Sequence, residues 1–383
     1  MKYVVSSSLL YSRLQTLGKI IPSKLALPVL SNFSFEVSGN ELQVTASDGE
    51  TTIRTRLEIQ ETGGSGRFML EAGRLVDILK QIPDQPLTIE VDPSTYQVEV
   101  KYQNGHMSFQ GENGEGYPNV QAAQEGEPQV VKIAEGSKFG RGIGSALTAV
   151  ADKDSGRRVM NGVYTDVMPG EVALVASDGH KLVRYTLKCD REDLSIGFTF
   201  PQKPATLLRQ VAEAVEGEVS LTLYGRKQAV VVAGDYEIIC RLIEDAYPNY
   251  KSVIPQKNEN VAQVDRGALV NALRRMVALA PKNGMAPMVK FSFNETGLCL
   301  TVGNVEYSMY GEETLVCSYE GAPLTIGFNA QDLITLLSNV TTSDVTIKLA
   351  DAVKAGLILP LAGEGEEDGG ELLILLMPIL INS

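Results

Sequence analysis

The chain contains Tyr117-Pro118-Asn119, Tyr247-Pro248-Asn249 and Met377-Pro378-Ile379, three stretches whose prolines follow one another at intervals of 130 residues. Ser47-Asp48-Gly49 recurs after the same interval as Ser177-Asp178-Gly179. A period of one third of the chain indicates one structural unit used three times, and it is too long for a solenoid, whose units have about 20–50 residues. Because about 130 residues is an ordinary domain size, the sequence predicts three domains, which span residues 1–125, 126–254 and 255–383.

Each of these three repeats contains, twice, the pattern of a helix followed by strands. In the first repeat, leucines recur at helical spacing between residues 8 and 21, and a second helix is predicted over Glu71–Ile82. Phe33–Val37 and Leu42–Ala46, between the helices, alternate apolar and polar residues as strands do. Corresponding helices are predicted near Ser137–Ala151, Lys203–Val215, Gly267–Leu279 and Gln331–Ser338. The predicted fold class is therefore α+β, with three repeated domains of two helices on antiparallel sheets.

The composition is typical of a soluble globular protein, since 44% of the residues are hydrophobic and 21% are charged. No apolar run reaches the roughly 18 residues of a membrane span, and the N-terminus lacks the apolar core of a signal peptide. The four cysteines have no metal-finger spacing, which favours buried, reduced thiols in a cytoplasmic protein. Because the chain has only two histidines, we expect no catalytic residues, no metal and no cofactor.

The charged residues are sorted along the chain. The net charge of −13 would by itself argue against nucleic acid as a partner. However, the first predicted helix of each repeat carries basic residues and no acid. These residues are Arg13 and Lys19, then Lys138 and Arg141, then Arg266, Arg274 and Arg275. Three such helices at equivalent positions predict one electropositive surface on an acidic body, which suits contact with phosphates without base reading.

Several stretches have the sequence of a known family, and they occur in its order over essentially the whole chain. They are Leu27-Pro28-Val29-Leu30-Ser31-Asn32, Met160-Asn161-Gly162, Ala176-Ser177-Asp178-Gly179-His180-Lys181-Leu182, Tyr247-Pro248-Asn249-Tyr250, Ile326-Gly327-Phe328-Asn329 and Met377-Pro378. Together with the threefold period, they resemble the bacterial DNA sliding clamps, the beta subunits of DNA polymerase III.

The resemblance implies a head-to-tail homodimer that closes into a ring around double-stranded DNA without regard to its sequence. Such a clamp is a non-catalytic processivity factor of the DNA polymerase III holoenzyme. Its implied partners are the polymerase catalytic subunit, the clamp loader and repair proteins, which bind through short peptide motifs. A closed ring need not bind tightly to stay on DNA, so weak phosphate contacts allow it to slide.

Two sets of residues are candidates for contact with DNA. Similarity to the family suggests Lys24, Lys153 and Lys203. Position on the predicted helices and in the adjacent connection adds Arg13, Arg141, Arg158, Arg209 and Arg275.

The family also has a hydrophobic pocket that receives partner peptides, and its apolar lining would accept aliphatic and aromatic anchors. The matching positions are Met160, Ser177, Gly179, His180, Lys181, Leu182, Pro248, Val253, Val353, Leu375, Met377, Pro378 and Ile379. Lys181 and Ser252 stand where arginines are common in the family, so that polar contacts with the peptide are expected to differ. The acidic stretch Gly363–Gly370 is also unlike the family and is expected to form a hairpin tip.

For the joint between subunits, similarity points to Met107 and Phe109 of one chain against Ala278 and Leu279 of the other. Arg74 is expected to pair with Glu306, Glu312 or Glu313. A rim charge pair contributes only about 0–1 kcal/mol, so the apolar contacts should dominate.

Two other functions are compatible with parts of the sequence. A repeat-domain scaffold that binds only proteins would need no basic surface. A hydrolase could use Asp178 and His180, but the equivalent Asp48-Gly49-Glu50 lacks the histidine. The Asp-Gly pair is therefore better interpreted as a turn between strands.

Overall fold

A computed structural model describes residues 1–22, 27–118, 127–280, 286–304, 309–363 and 371–381. The chain forms two compact units. The first contains Met1–Ser137 and Thr206–Leu242, and the second contains Lys138–Ala205 and Ile243–Ser383. The middle repeat therefore contributes to both units. No helix in the described ranges is long and apolar enough to cross a membrane.

The described residues contain six α-helices, two in each repeat. They are α1 (Ser7–Gly18), α2 (Ala72–Leu79), α3 (Gly136–Leu147), α4 (Gln202–Glu213), α5 (Arg266–Leu279) and α6 (Ala330–Leu337). The predicted positions are confirmed. The predicted second and third helices are too long at their C-terminal ends, since α2 ends at Leu79 and α3 at Leu147, and so is the predicted first helix. Its apolar stripe continues because Ile20 is buried in the turn that follows α1, where its N–H bonds to the carbonyl of Leu17.

Strands fill most of the remaining chain. The first repeat has β1 (Lys2–Ser6), β2 (Asn32–Ser38), β3 (Glu41–Ser47), β4 (Thr51–Glu58), β5 (Gln60–Gly63), β6 (Gly66–Glu71), β7 (Pro86–Val91), β8 (Gln97–Tyr102), β9 (Gly105–Gln110) and β10 (Glu112–Asn113). The second has β11 (Gln129–Ile133), β12 (Gly162–Met168), β13 (Glu171–Ser177), β14 (Lys181–Lys188), β15 (Ile196–Pro201), β16 (Val219–Tyr224), β17 (Gln228–Ala233) and β18 (Tyr236–Arg241). The third has β19 (Asn260–Asp265), β20 (Met288–Asn294), β21 (Gly297–Asn304), β22 (Met309–Leu315), β23 (Cys317–Glu320), β24 (Leu324–Asn329), β25 (Asp344–Leu349), β26 (Gly356–Leu361) and β27 (Glu371–Leu376).

These strands form two sheets in each unit. The first unit has a five-stranded sheet, β5-β1-β7-β8-β9, and a nine-stranded sheet, β10-β6-β2-β3-β4-β18-β17-β16-β11. The second unit has a nine-stranded sheet, β15-β12-β13-β14-β27-β26-β25-β19-β23, and a four-stranded sheet, β22-β21-β20-β24. Neighbouring strands are antiparallel, including those that join different repeats. Helices that bury one face against such sheets give the predicted α+β architecture.

Two joints between strands connect one repeat to the next. In the first unit, β4 pairs with β18 and places Ile53 opposite Ile238. In the second unit, β14 pairs with β27 and places Val183 opposite Ile374. Each joint links the third strand after the first helix of one repeat with the third strand after the second helix of the next.

The strands at the corresponding places in the two terminal sheets are edges. β22 is the third strand after α5, and β9 is the third strand after α2. Among the described strands, β22 is paired with β21 alone and β9 with β8 alone. An unpaired edge presents a row of backbone N–H and C=O groups that can pair with another chain.

The helices bury apolar faces that follow the period predicted from sequence. Leu10, Leu14 and Leu17 of α1 are buried, and the hydroxyl of Ser6 accepts a hydrogen bond from the Leu9 N–H to cap the helix. Full burial of a leucine side chain contributes about 1.5–3 kcal/mol. α1 packs on α2, and α5 packs on α6. The paired helices thus cover the sheets of the first and third repeats.

The cysteines differ in burial. None of the four is in a disulfide. Cys240 is buried, and burial raises the pKa of its thiol to about 12. Cys189, Cys299 and Cys317 are only partly buried, so the expectation of buried thiols is correct for Cys240 and wrong for the other three.

Gly142 of α3 gives a test of this packing. A Cβ at Gly142 would lie 2.6 Å from a ring carbon of Tyr185 and 2.8 Å from a methyl carbon of Leu174. We expect Gly142→Ala to lower stability by about 1–3 kcal/mol through overpacking, although alanine is the better helix former by about 1 kcal/mol.

The measurement is the midpoint of urea unfolding, with Gly217→Ala as the control. A Cβ at Gly217 would have no neighbour within 4 Å, so this change should alter stability by less than about 0.5 kcal/mol. Equal midpoints for the two variants would contradict the packing described for α3.

Candidate partner groove and basic helices

The turn Ser177–Leu182 between β13 and β14 is held by its own polar side chains. The carboxylate of Asp178 accepts hydrogen bonds from the N–H groups of His180 at 2.8 Å and Lys181 at 2.9 Å. Gly179 has φ +95°, a conformation that favours glycine. The predicted turn is confirmed, and the Asp178 carboxylate stabilises it. His180 is exposed on the same turn with its backbone, not its ring, bonded to that carboxylate, which gives no support to the hydrolase hypothesis.

The C-terminal segment crosses beside this turn. After β27, the N–H of Met377 donates to the carbonyl of His180 at 2.8 Å, and the N–H of Ile379 donates to the carbonyl of Gly327 at 2.8 Å. These two bonds hold Met377, Pro378 and Ile379 between a turn of the second repeat and a strand of the third. The segment therefore lies between elements of the second and third repeats, and this region is the candidate groove.

One apolar cluster lies next to the C-terminal segment and includes Leu375. It contains the buried residues Ala173, Val175, Leu182, Tyr250, Ala355, Leu357, Leu373 and Leu375. Tyr164, Met168, Tyr247, Ile254 and Leu359 pack against it. The rings of Tyr164 and Tyr247 are stacked with centroids 4.6 Å apart. Such a cluster is closely packed and gives this part of the second unit a rigid apolar core.

Three apolar side chains remain exposed at the border of this cluster. Val253 is 56% exposed, Val353 is 57% exposed and Met377 is 40% exposed. In the chain, each of them lies within three residues of a buried cluster member. Val253 is close to Tyr250, Val353 to Ala355 and Met377 to Leu375. Exposed apolar side chains beside a buried apolar cluster make this region a candidate interaction site.

A strap holds Val253 in place. The Tyr250 hydroxyl donates to a carboxylate oxygen of Asp166 at 2.8 Å, and the Lys251 ammonium lies 3.0 Å from the same oxygen. Asp166 belongs to β12, so that its carboxylate ties the 3-10 turn Tyr250–Val253 to the sheet. This arrangement fixes the chain that carries Val253 instead of leaving it as a free linker.

Lys181 connects the turn to α6. Its ammonium lies 3.4 Å from Asp178 and pairs with Asp332, and its side chain is 15% exposed. Burial lowers the pKa of Lys181, but the carboxylates of Asp332 and Asp178 raise it by more, so the pKa lies above its ordinary value. The amino group is therefore charged and already paired.

The joint in the first unit has the same backbone and different side chains. There the N–H of Arg241 donates to the carbonyl of Glu50 at 3.2 Å, as Met377 does to His180 at the other joint. The Arg241 guanidinium also lies 3.4 Å from the Glu50 carboxylate. An ion pair in the first unit thus stands where the second unit has an exposed methionine.

All residues predicted to line the pocket lie in the second unit. The structure joins Ser177, Gly179, His180, Lys181 and Leu182 of the turn with Leu375, Met377, Pro378 and Ile379 of the C-terminal segment. Pro248 follows Tyr247, which packs against the apolar cluster. Met160 is near the turn because Arg157 lies close to both. The Arg157 guanidinium is 3.9 Å from the Met160 sulfur and would be 3.1 Å from a Cβ at Gly179. Their role in binding a peptide stays a prediction.

Sequence reasoning missed the residues that support the groove. These are Arg157, Tyr164, Asp166, Tyr247, Tyr250 and Asp332. The repeated Tyr-Pro-Asn stretch was a signal for Tyr247, and Tyr250 follows it directly. Asp332 gave no signal, because its partner Lys181 is 151 residues away along the chain.

The structure divides the predicted DNA contacts into two groups. Arg13 pairs with Asp235 and lies 4.8 Å above the ring of Tyr236, and its side chain is only 19% exposed. Arg209 bonds to Glu213 at 2.9 Å. Arg275 pairs with Glu313 through two nitrogens and thereby lowers the pKa of that carboxyl group. The charge of these three arginines is therefore already compensated.

The other predicted DNA contacts lie on α3, in the turns that follow it and at the start of α4. Lys153 and Arg158 are exposed in 3-10 turns that follow α3, and Lys203 is exposed in the first turn of α4. Arg141 is half-buried on α3. Lys24 lies outside the described residues. Contact of any of these residues with DNA stays a prediction.

The residues predicted for the joint between subunits lie on or beside the two edge strands. Met107 and Phe109 are half-buried on one face of β9. Leu279 lies against β22, where a Cβ at Gly311 would be 2.6 Å from its methyl carbon. The remaining predicted residues are Arg74, Ala278 and Glu312, which are exposed, Glu313, which Arg275 already engages, and Glu306, which lies outside the described residues.

Comparison with known proteins gives the same family for all three repeats. The sequence models of the DNA polymerase III beta subunit match with the N-terminal domain at residues 1–121, the central domain at 135–249 and the C-terminal domain at 251–367. The chain belongs to the DNA polymerase III beta subunits. The prediction of an α+β fold made of three clamp domains is confirmed.

Relatives cover all or nearly all of this beta subunit. The beta sliding clamp of Pseudomonas putida is 26% identical over 363 residues, which are 94% of this chain and 95% of the relative. The beta sliding clamp of Synechococcus elongatus is 27% identical over 390 residues and covers 100% of both chains. This beta subunit is a sliding clamp and a processivity factor, and the alternative of a scaffold without DNA binding is not supported.

Solved beta subunits have the same fold. The crystal structure of the DnaN sliding clamp from Pseudomonas aeruginosa bound to griselimycin has a TM-score of 0.89 at 24% identity and covers 100% of both chains. The DNA polymerase III beta subunit from Thermotoga maritima has a TM-score of 0.86 at 22% identity, again over 100% of both chains.

The strap on Val253 yields a prediction for this beta subunit. Asp166→Ala removes the acceptor of the Tyr250 hydroxyl, and leaving that buried group unpaired should cost about 1–3 kcal/mol. The measurements are hydrogen exchange of the Tyr250–Val253 amides and the thermal midpoint of unfolding. The amides should lose protection, and the midpoint should fall. Lys251→Ala is the control, because it keeps the bond between the Tyr250 hydroxyl and Asp166 and removes only contacts of the exposed lysine, whose ion pair is worth about 0–1 kcal/mol. Equal protection in the two variants would rule out the strap.

Proposed function

We propose that two copies of the chain close head to tail into a ring that encircles double-stranded DNA and tethers the replicative polymerase to it. The observation that carries this proposal is the repeated joint between strands. Within the chain, β4 pairs with β18 and β14 pairs with β27. The equivalent strands β22, in the third repeat, and β9, in the first, are at sheet edges and have no such partner among the described strands. A second copy supplies the missing partner for each, because its β9 can pair with β22 and its β22 with β9.

The side chains at these edges support the pairing. Met309 and Tyr310 at the start of β22 are exposed, at 39% and 66%. Met107 and Phe109 on β9 are half-buried along one face. An exposed edge strand with such side chains would aggregate if it were left unpaired. Two identical joints of this kind complete a closed head-to-tail assembly that leaves neither β9 nor β22 unpaired.

The basic residues give this ring its affinity for DNA. Lys153, Arg158 and Lys203 are exposed near the first residues of helices and turns, together with the half-buried Arg141. We infer that they contact phosphates, with the compensated Arg13, Arg209 and Arg275 contributing less. Lys24 belongs to the same proposed set. Contacts of this type are independent of sequence and weaken with salt, which suits a ring that slides.

The groove of the second unit accepts the partners. Its apolar cluster and the exposed Val253, Val353 and Met377 suit the aliphatic and aromatic anchors of a short peptide. We infer that the polymerase catalytic subunit, the clamp loader and repair proteins compete for this groove. The three proposed domains, with residues 1–125, 126–254 and 255–383, act together as a cytoplasmic, non-catalytic subunit of the holoenzyme.

Retention on DNA tests the proposal. The clamp is loaded on a nicked circular plasmid with its clamp loader, and bound protein is measured by gel filtration before and after the circle is cut once. A ring that is linked to DNA stays on the circle and is lost from the linear form. Equal retention on both forms would contradict encirclement.

Charge reversal tests the proposed DNA surface in the same assay. Arg141→Glu with Lys153→Glu should lower the amount loaded at low salt by about tenfold or more, because two phosphate contacts are replaced by repulsion. Arg226→Glu with Lys227→Glu makes the same change of charge in the exposed turn between β16 and β17 and should load as the wild type does. Equal loss in both variants would place the effect in net charge and not in the proposed surface.

A further inference from the structure

The ammonium group of Lys181 is shared by carboxylates from two repeats. Asp178 precedes it in the turn of the second repeat, at 3.4 Å, and Asp332 lies in the first turn of α6 in the third repeat. In the ladder Lys181 faces Leu376, the residue before Met377. The ion pairs are therefore placed directly beside the C-terminal segment of the groove.

Asp332 is fully engaged from its own side. One of its carboxylate oxygens accepts from Lys181, and the other accepts from the side-chain amide of Asn329. Asn329 caps α6 by accepting from the N–H of Gln331 at 3.1 Å. It lies two residues after Gly327, whose carbonyl holds Ile379. The ion pair and the C-terminal segment thus converge on the same end of β24.

The other basic groups near the groove differ from Lys181. Lys251 is paired with Asp166 at 3.0 Å, and Lys354 is paired with Asp351 at 3.1 Å, but both lysines are more than half exposed. Arg157 is exposed and touches the sulfur of Met160. Lys181 alone among these groups is mostly buried and held between two acids, so an incoming acid would have to displace one of them.

We propose that Lys181 is a positioning residue which locks the turn to α6 and does not bind the charge of a partner peptide. The groove then selects a segment by its apolar anchors, with neutral polar residues where it passes Lys181. This inference rests on the proposed peptide-binding role of the groove.

The experiment compares two synthetic hexapeptides with the same leucine and phenylalanine anchors. Both are acetylated and amidated to remove terminal charges, and one has a glutamate where the other has a glutamine. Their dissociation constants are measured by fluorescence anisotropy with full-length wild-type protein, Lys181→Met, Lys181→Arg and Asp332→Asn. Any contribution of Arg157 is common to all four proteins and cancels when the ratios of the two constants are compared.

Apart from any contribution of cations that are common to all four proteins, the wild type should bind the two peptides within about twofold of each other, since the Lys181 ammonium is already paired. Lys181→Met should weaken both by about tenfold without changing their ratio, because the groove loses its preorganisation. Lys181→Arg keeps a cation between the carboxylates and should restore most of the affinity. Asp332→Asn removes one of the two carboxylates that pair with the Lys181 ammonium. It should shift the ratio of the dissociation constants about fivefold towards the acidic peptide.

Two results would overturn the inference. If Lys181→Met weakens the acidic peptide much more than the neutral one, then Lys181 binds the peptide's charge directly. If Lys181→Met leaves both constants unchanged, then Lys181 does not position the groove. A wild type that binds neither peptide would instead refute the proposed function of the groove, and the inference with it. Thermal midpoints of all four proteins, together with the rescue by Lys181→Arg, separate these results from simple unfolding.

Discussion

Backbone hydrogen bonds between the edge of one repeat and the edge of the next are the interaction on which the rest of the structure depends. They turn two separate sheets into one of nine strands at β4–β18 and again at β14–β27. A single backbone hydrogen bond contributes only about 0.5–1.5 kcal/mol, but a ladder of several fixes the register completely. That register decides which side chains meet at each joint, and therefore where a groove can form.

The two joints illustrate how function is added to a repeated scaffold. Both continue beyond the ladder with the same backbone bond, from Arg241 to Glu50 in one unit and from Met377 to His180 in the other. The first adds an ion pair between the side chains, whereas the second leaves Met377 exposed beside an apolar cluster. The geometry is common, and the difference in chemistry comes from a few substitutions at equivalent positions.

Local patterns in the sequence were sufficient for the repeat, the fold class, the six helices and the turn at Asp178, because spacing and alternation report on neighbouring residues. Partners far apart in the chain were not predictable in this way. Arg13 was counted as a free charge, but it pairs with Asp235, which is 222 residues away. Likewise Arg275 and Glu313 were assigned to different surfaces although they bind each other. A charge pattern gives the number of cations on a helix and says nothing of the acids that the fold brings to them.

The central claim is that β9 of one copy pairs with β22 of a second copy. This pairing would repeat the joints that β4 makes with β18 and β14 makes with β27 within one chain. The most direct test is hydrogen exchange on the wild type, Phe109→Glu and the control Ser108→Glu, which lies on the opposite, exposed face of β9, with mass measured by light scattering. The account predicts a dimer with protected amides in both β9 and β22 for the wild type and Ser108→Glu. It predicts a monomer in which both strands exchange rapidly for Phe109→Glu. A dimer in which β22 exchanges as fast as it does in the monomer would contradict the account.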